Sequence, residues 1–126
     1  PYVMPGSDGE AYSLDFPGQP HPRNFGTFPK ILAHYCRDRK LFTLEEAVRK
    51  MTSLPASRIG LDDRGVLKEQ MWADIVVFDL EKLQSLPTYE EPKQPCAGID
   101  HVFVNGVLTA ENGRHTGVRA GKIIRR

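Results

Sequence analysis

The clearest hydrophobic pattern in this chain is a helical stripe between residues 43 and 54. Apolar side chains recur three and four positions apart, which places them on one face of an α-helix: Leu44, Ala47, Val48, Met51 and Leu54. Thr43 is followed by Glu46 three residues later, which is the sequence of a capping box at a helix N-terminus. The segment therefore predicts an amphipathic helix that begins after Thr43.

Another helix is predicted to follow a proline-rich surface loop over residues 10–27. Its apolar face consists of Phe28, Ile31, Leu32 and Tyr35. Thr27 stands where it can cap this helix, with Pro29 in the first turn, where a missing N–H does no harm. Pro55 is predicted to end the helix that follows Thr43 and to open a short third helix over residues 56–59.

The pattern changes from helical to β after Gly60. Residues 73–79 form a nearly continuous apolar and β-branched run, which predicts a buried strand. Residues 99–104 and 107–110 flank Asn105-Gly106, which predicts a hairpin with a type I′ turn. Weaker signals predict a strand at 66–67, a second turn at 111–113 and an edge strand at 123–124.

Helices are thus predicted for the first half of the chain and strands for the second. We expect two structural environments, residues 1–61 and residues 62–126, in a chain whose 126 residues have the size of one domain. Pro1 follows no methionine, and Tyr2-Val3-Met4-Pro5 has the character of a chain entering in mid-strand. We therefore interpret the sequence as a piece of a longer protein.

Charge and hydropathy exclude several classes of partner. The formal net charge is +1 with mixed signs along the chain, which indicates neither a nucleic-acid surface nor a basic membrane patch. No apolar run approaches the about 20 residues of a membrane span, and no signal peptide is visible. The basic end, residues 122–126, is interpreted as a solvated tail.

The two cysteines, Cys36 and Cys96, do not have the spacing of a metal site. We expect both to be free thiols in a reducing compartment, which favours a cytoplasmic location over a secreted one.

Asp8 is the first candidate for chemistry. It lies in Gly6-Ser7-Asp8-Gly9, just after a short apolar run. A carboxylate presented at the end of a buried strand can ligate a divalent metal, or take a proton from a metal-bound water. The alternative is that Ser-Asp-Gly forms a simple turn, and these four residues alone favour the turn.

Arg23 is the second candidate. A guanidinium binds a carboxylate through a planar, two-bond fork, so Arg23 suits an acidic group of a substrate. The alternative is an ordinary surface arginine. The four histidines are scattered and make no close-spaced metal pattern, so exposed or structural roles are favoured for His21, His34, His101 and His115.

Taken together, the motifs of this chain resemble the D-aminoacylase (N-acyl-D-amino-acid deacylase) family of the amidohydrolase superfamily. The resemblance runs over nearly the whole chain in order. Its motifs are Gly6-Ser7-Asp8-Gly9, His21-Pro22-Arg23, Gly26-Thr27-Phe28-Pro29, Glu45-Glu46-Ala47-Val48-Arg49-Lys50-Met51-Thr52, Pro55-Ala56, Arg64-Gly65-Val66-Leu67-Lys68, Ala73-Asp74-Ile75-Val76-Val77-Phe78-Asp79 and Val104-Asn105-Gly106. The strand and Val-Asn-Gly motifs indicate an amidohydrolase tail, and the first three motifs narrow it to the deacylase branch.

The resemblance implies an α/β fold that is the C-terminal part of a metallo-hydrolase (β/α)₈ barrel. Residues 2–8 would be the last barrel strand, with Asp8 at its C-terminal end, where barrel enzymes place their chemistry. The helices of residues 1–61 would cover the barrel. Residues 62–126 would be the C-terminal half of a small β-sandwich domain. As an isolated piece, the chain would be a small α+β fold.

The resemblance also implies a reaction and two residue roles. The family hydrolyses the N-acyl amide of D-amino acids with a zinc-activated water. Asp8 matches the aspartate that contacts the zinc and acts as acid and base, and Arg23 matches the arginine that holds the substrate carboxylate. The remaining zinc ligands would lie upstream of this chain, so the piece alone is expected to be inactive.

Two departures and two alternatives complete the sequence picture. The loop between Asp8 and Arg23 is longer than is usual in the family, and Gln70 stands where a turn glycine is common, which puts that turn in doubt. One alternative is an amidohydrolase acting on cyclic amides, of the hydantoinase or dihydroorotase kind. The other is a non-catalytic folding or assembly module. In the isolated piece, residues 1–27 are expected to be poorly ordered or to pair with another copy of the chain. The hairpin and the helix after Thr43 are expected to be the best-formed parts.

Overall fold

The computed structural model describes residues 2–124, with helices first and strands afterwards as the sequence predicts. Helix α1 spans Arg23–Lys30 and runs directly into a π-helical segment, Ile31–Asp38. Helices α2, Leu44–Met51, and α3, Ser53–Arg58, follow. Within the described residues, no helix is long and apolar enough to cross a membrane.

Helix α1 begins five residues earlier than the sequence predicts, after Pro22 instead of Thr27, so the prediction that Thr27 caps it is wrong. The Thr27 hydroxyl donates a hydrogen bond back to the Arg23 carbonyl oxygen at 2.8 Å, as a helix-interior threonine does. Pro29 lies inside the helix rather than in its first turn. The sequence signal for the actual start is weak. Pro22 and Pro29 flank it, and the side chain that accepts from the first helical N–H is that of His21, which is not a usual N-cap residue.

The apolar face predicted for this helix is only partly correct. Leu32 is buried, but Phe28 and Tyr35 are exposed, and Ala33 and Cys36 are buried instead. The segment after Lys30 is π-helical, with the Arg39 N–H donating to the His34 carbonyl oxygen at 2.9 Å. The wider turn displaces the face from the 3.6-residue period on which the prediction was based.

Helix α2 confirms the prediction made from its stripe and cap. The Thr43 hydroxyl accepts a hydrogen bond from the Glu46 N–H at 3.3 Å, and Ala47 at the centre of the stripe is fully buried. The helix ends at Thr52, whose φ of −129° and ψ of −87° break the helical path. Pro55 therefore does not end α2; it lies in the first turn of α3, where it is tolerated.

The strands form one antiparallel sheet in the order β1-β2-β3-β4, with bounds Ile75–Phe78, Ile99–Val104, Val107–Glu111 and Arg114–His115. The predicted hairpin is confirmed: Asn105 and Gly106 have φ of 51° and 81°, as a type I′ turn requires. The second predicted turn also forms and leads into β4. Strand β1 is an edge strand with Val76 and Val77 exposed, so its prediction as a buried strand is wrong within this chain.

Residues 80–98 are mostly loop, as predicted, and they carry the contact between the helical and β halves. Leu83 is 1% exposed and belongs to one core with Leu32, Ala33, Cys36 and Ala47. The Arg37 guanidinium donates to the carbonyl oxygens of Leu80 and Leu83, both at 2.8 Å, which fastens this loop to the π-helical segment. The division at residue 61 stays a prediction.

Two weaker strand predictions fail in this chain, because residues 66–67 and 123–124 form no strand. Residues 2–8 form no strand ladder with any described segment. A strand needs a neighbour for its N–H and C=O groups, so residues 2–8 as a barrel strand remain a prediction. In the basic end, the Lys122 ammonium lies 4.1 Å from the centroid of the Trp72 ring, while Arg125 and Arg126 lie outside the described residues.

The turn that Gln70 put in doubt is formed. Gln70 has a φ of 69°, which is the left-handed conformation that glycine adopts more readily. The chain therefore keeps the glycine-like backbone at this position, and the strand entry at Trp72 follows it.

Candidate functional site

The two residues singled out for chemistry lie together. The Arg23 Nη1 is 3.1 Å from the Asp8 Oδ2, and their side chains are 44% and 89% exposed. Fourteen residues lie between them in sequence, so the fold of that loop creates the pair. An exposed ion pair contributes little to stability, and both charged groups remain accessible to a ligand.

Asp8 is held in an uncommon backbone conformation. Its φ is 49°, in the left-handed region, where aspartate is tolerated better than most residues. On one side, the Ser7 hydroxyl accepts a hydrogen bond from the Gly9 N–H at 3.1 Å. On the other, the Asn24 side-chain oxygen accepts one from the Glu10 N–H at 2.8 Å. The Ser7–Gly9 hydrogen bond is typical of a turn, as the alternative interpretation expects. The hydrogen bond from Glu10 to Asn24 ties this segment to α1.

Arg23 is the first residue of α1, and His21 closes that start of the helix. The Arg23 N–H donates to the His21 Nδ1 at 3.0 Å, while the Arg23 side chain extends to Asp8. The other ring nitrogen of His21 lies 3.2 Å from the Tyr89 hydroxyl oxygen, and the two rings meet edge to face with centroids 5.0 Å apart. His21 is therefore a structural residue with partners on both nitrogens, rather than merely exposed.

Helix α1 is also bound by the loop 85–96, which we call the strap. Pro29 has no N–H to donate to the Phe25 carbonyl oxygen, and the Cys96 thiol donates to that oxygen instead, with an S···O distance of 3.2 Å. The Ser85 hydroxyl donates to the Gly26 carbonyl oxygen at 2.9 Å. Gly26 is buried, and a Cβ there would lie 2.5 Å from the Ser85 hydroxyl oxygen. Only a residue without a side chain allows this approach.

The three motifs of the second half meet in a different cluster. The Arg64 guanidinium contacts the Asp74 carboxylate at 2.5 Å and the Asn105 side-chain oxygen at 3.2 Å. The Asp74 carboxylate also accepts from the Asn105 N–H at 2.7 Å, at the start of the hairpin turn. The Arg64 side chain is only 14% exposed. Arg64, Asp74 and Asn105 thus fix the hairpin to the strand entry, and their role is structural.

The described residues supply part of a metal site at most. Among them, no group of three or more His, Cys, Asp or Glu side chains is placed to hold a metal ion. Asp8 is a carboxylate of the kind zinc accepts and it is exposed, so it fits as one ligand. A complete site would need ligands from outside this chain.

Comparison with known proteins decides the family. A family model described as Amidohydrolase family matches residues 6–110. The chain belongs to the amidohydrolase family. The resemblance drawn from its motifs is thereby confirmed.

Relatives within this family include the D-aminoacylase of Alcaligenes xylosoxydans xylosoxydans, which is 46% identical over 98% of this chain and 25% of that protein. The N-acyl-D-glutamate deacylase of the same organism is 45% identical over 98% of this chain and 24% of that protein. A dihydroorotase of Lactobacillus acidophilus is 31% identical over 69% of this chain and 21% of its own length. The chain spans about a quarter of the length of the deacylases it matches.

Solved structures agree with the sequence matches. A crystal structure of D-aminoacylase superposes with a TM-score of 0.88 at 46% identity, over 98% of this chain and 25% of that chain. The N-acyl-D-glutamate deacylase of Bordetella bronchiseptica was solved with zinc and a phosphonate that mimics the tetrahedral reaction intermediate. It superposes with a TM-score of 0.83 at 40% identity, over 98% of this chain and 25% of its own. The mixed helices and antiparallel sheet thus form part of an amidohydrolase structure of the deacylase kind.

Sequence reasoning missed two residues near the site. Tyr89 and Cys96 lie in the irregular strap, about seventy positions from their partners, His21 just before α1 and Phe25 within it. Periodicity carries no signal for such a contact. The one available sign was Pro29. A proline inside a helix cannot donate to the carbonyl oxygen four residues earlier, here that of Phe25, so this oxygen needs another donor.

Both cysteines are free thiols, as predicted. Burial raises the pKa of the Cys96 thiol above its ordinary value, so the neutral, hydrogen-bond-donating form is favoured. Burial likewise raises the pKa of Cys36. Their surroundings suit packing and hydrogen bonding rather than nucleophilic catalysis.

Proposed function

We propose that this chain is the C-terminal part of a zinc-dependent deacylase that hydrolyses the N-acyl amide of N-acyl-D-amino acids. Asp8 would act as a zinc ligand and as the acid and base, and Arg23 would bind the substrate carboxylate. The observation that carries this proposal is the exposed pair they form, with 3.1 Å between Nη1 and Oδ2. The deacylase relatives, matched over 98% of the chain, support it.

The pair suggests how Arg23 recognises an acidic substrate. Its guanidinium already binds a carboxylate, that of Asp8, at the surface of the chain. A substrate carboxylate can take the same place, because guanidinium and carboxylate match in a two-bond fork. Binding of the substrate would then release Asp8 for its own role.

Asp8 has the chemistry for proton transfer in amide hydrolysis. Its carboxylate can accept the proton of the attacking water and deliver it to the amine nitrogen as the C–N bond breaks. Zinc, when bound, supplies the activated water. Because the described residues offer one ligand where about three are usual, the chain alone is expected to be inactive.

The proposal includes the placement of the chain in such an enzyme. Residues 1–61 would supply the last strand and covering helices of the barrel, and residues 62–126 the C-terminal half of the small β-sandwich domain. The exposed Val76 and Val77 of edge strand β1 are consistent with a β-partner outside this chain. The free thiols favour a reducing compartment such as the cytoplasm.

The test is Arg23→Ala in the complete gene product that contains this chain, loaded with zinc. For an N-acetyl-D-amino acid, kcat/KM should fall about 100-fold, because a charge-assisted hydrogen bond contributes about 1.5–3 kcal/mol. For the neutral carboxamide of the same substrate, the change should be small. Arg39→Ala, an exposed arginine at the end of the π-helical segment, is the matched control. An unaltered kcat/KM for the acid would reject the role of Arg23.

A second candidate is hydrolysis of a cyclic amide, which the match to a dihydroorotase favours. The deacylase proposal ranks above it because identity is higher and coverage nearly complete. Turnover of dihydroorotate or a hydantoin by the complete gene product, with no turnover of N-acyl-D-amino acids, would reverse this order. The third alternative, an assembly module, predicts a stable self-associated chain 1–126 and no hydrolysis in either assay.

A further inference from the structure

We infer that His21 and Tyr89 are positioning residues that set the place of Arg23 at the candidate site. This inference rests on the proposed function, since it gives Arg23 the role of binding the substrate carboxylate. Tyr89 belongs to the strap, far from Arg23 in sequence, and His21 joins the two through its opposite ring nitrogens.

The hydrogen bonds fix the chemical form of the imidazole. Nδ1 of His21 faces the Arg23 N–H, which can only donate, so Nδ1 carries no proton. The ring proton of the neutral imidazole therefore lies on Nε2, from which it is donated to the Tyr89 hydroxyl oxygen at 3.2 Å. The Arg23 N–H thus selects the tautomer, and the Tyr89 hydroxyl stabilises it by accepting the proton of Nε2.

The same contacts fix the direction of the Arg23 side chain. Pro22 cannot donate a hydrogen bond, and no side-chain hydroxyl, amide or carboxylate caps α1, so the imidazole of His21 satisfies the first helical N–H. The position of that first turn determines where the Arg23 Cβ points, and hence whether its guanidinium reaches Asp8. A shift of the helix start by one residue would turn the side chain away.

Contacts with the loop before α1 hold Tyr89 and the rest of the strap in place. The Gln19 side-chain amide donates to the Tyr89 carbonyl oxygen at 3.0 Å, and the ring of Tyr89 packs edge to face on His21 at 82°. Lys93 donates to the Phe16 carbonyl oxygen at 2.8 Å. The strap therefore contacts both the loop before α1 and the start of the helix. Tyr89 itself is 69% exposed and does not belong to the main core.

The first experiment is a double-mutant cycle in the complete, zinc-loaded gene product, with an N-acetyl-D-amino acid as substrate. Tyr89→Phe removes only the hydroxyl, and we expect kcat/KM to fall about 3- to 10-fold, mainly through KM. In the Arg23→Ala background, Tyr89→Phe should have no further effect, because its contribution acts through Arg23. Tyr35→Phe is the matched control, since Tyr35 also packs edge to face on a histidine, His34, in the π-helical segment.

His21 is tested with a pair of substitutions. His21→Ala should lower kcat/KM about tenfold or more, while His21→Asn should restore part of it, because the amide oxygen can accept from the Arg23 N–H as Nδ1 does. An equal loss in both variants would overturn the positioning role, as would a Tyr89→Phe effect of the same size with and without Arg23.

A measurement without turnover separates this inference from the proposed function. Long-range ¹H–¹⁵N spectra of the same protein should show the His21 ring protonated on Nε2, and Tyr89→Phe should shift the Arg23 amide resonance. A ring protonated on Nδ1 would overturn the inference whatever the activity. If these spectra agree but Arg23→Ala leaves the kinetics unchanged, the proposed function fails and the geometry at the helix start stands.

Discussion

Two arginine–carboxylate pairs of this chain have the same chemistry and opposite surroundings. In the Arg23–Asp8 pair, the side chains are 44% and 89% exposed. The Arg64 side chain is 14% exposed, and it contacts both Asp74 and Asn105. Because the Arg64 side chain is largely enclosed and contacts two partners, it fixes the hairpin to the strand entry. An exposed pair contributes little stability and stays open to exchange.

The surroundings of each pair explain its different use. Asp74, although its side chain is 35% exposed, accepts a hydrogen bond from the Asn105 N–H as well as from Arg64, so removing Arg64 takes a partner from both Asp74 and Asn105. Among the described residues, the Asp8 carboxylate contacts only Arg23, and it can leave Arg23 without disturbing the core. Residue identity alone would not distinguish the two pairs.

The comparison is tested most strongly by removing each arginine in turn. Arg64→Ala should lower the free energy of unfolding by about 1–3 kcal/mol, since it removes a hydrogen-bond partner from both Asp74 and Asn105. Arg23→Ala should alter that free energy by less than about 0.5 kcal/mol. Urea denaturation of the complete gene product measures both. Similar losses in the two variants would show that exposure does not separate the pairs.

A smaller effect is expected at the support beneath the exposed pair. Cys96→Ala removes the donor to the Phe25 carbonyl oxygen and should cost about 1 kcal/mol of unfolding free energy. Cys96→Ser keeps a donor at the same place and should retain most of the stability. Thermal unfolding of the two variants provides the comparison. If alanine and serine behave alike, the hydrogen bond to Phe25 does not stabilise α1.

The smallest effect concerns a third pair, Glu46 with Arg49 on α2. Hydrogen bonds from the Arg49 guanidinium, aided by the nearby charges of Arg49 and Lys50, lower the pKa of Glu46 from 4.5 to about 2. A carboxyl whose pKa is lower in the folded state contributes stability above pH 4.5, and this contribution is lost as the pH falls from 4.5 towards 2.

The stability difference between the unmodified protein and Glu46→Gln should therefore be present at pH 7 and shrink between pH 4.5 and 2. Melting temperatures across this range measure it, and Glu69→Gln, which removes an exposed carboxylate, serves as the control. A difference that stays constant down to pH 2 would contradict the lowered pKa.

Local sequence determined the parts of the fold whose signals lie within one turn or one helix. Thr43 and Glu46 formed the expected cap, and Asn105-Gly106 formed the expected type I′ turn, because both depend on contacts between near neighbours. The same holds for the family, since ordered motifs along the chain pointed to the amidohydrolases that the comparisons confirm. Asp8 and Arg23 were also singled out by residue type and motif.

Tertiary structure decided what depends on distant partners. Helix α1 starts at Arg23 because His21, itself bonded to Tyr89, closes it, and its proline is accommodated because Cys96 donates to the Phe25 carbonyl oxygen. Strand β1 lies at the edge of the sheet, and residues 2–8 form no strand ladder with the described residues, because a β-segment becomes a strand only beside a neighbour. The amino-acid sequence thus determined which groups are available and which turns they favour. Only the packing of the strap and sheet decided which arginine side chain is largely enclosed in a network and which stays exposed.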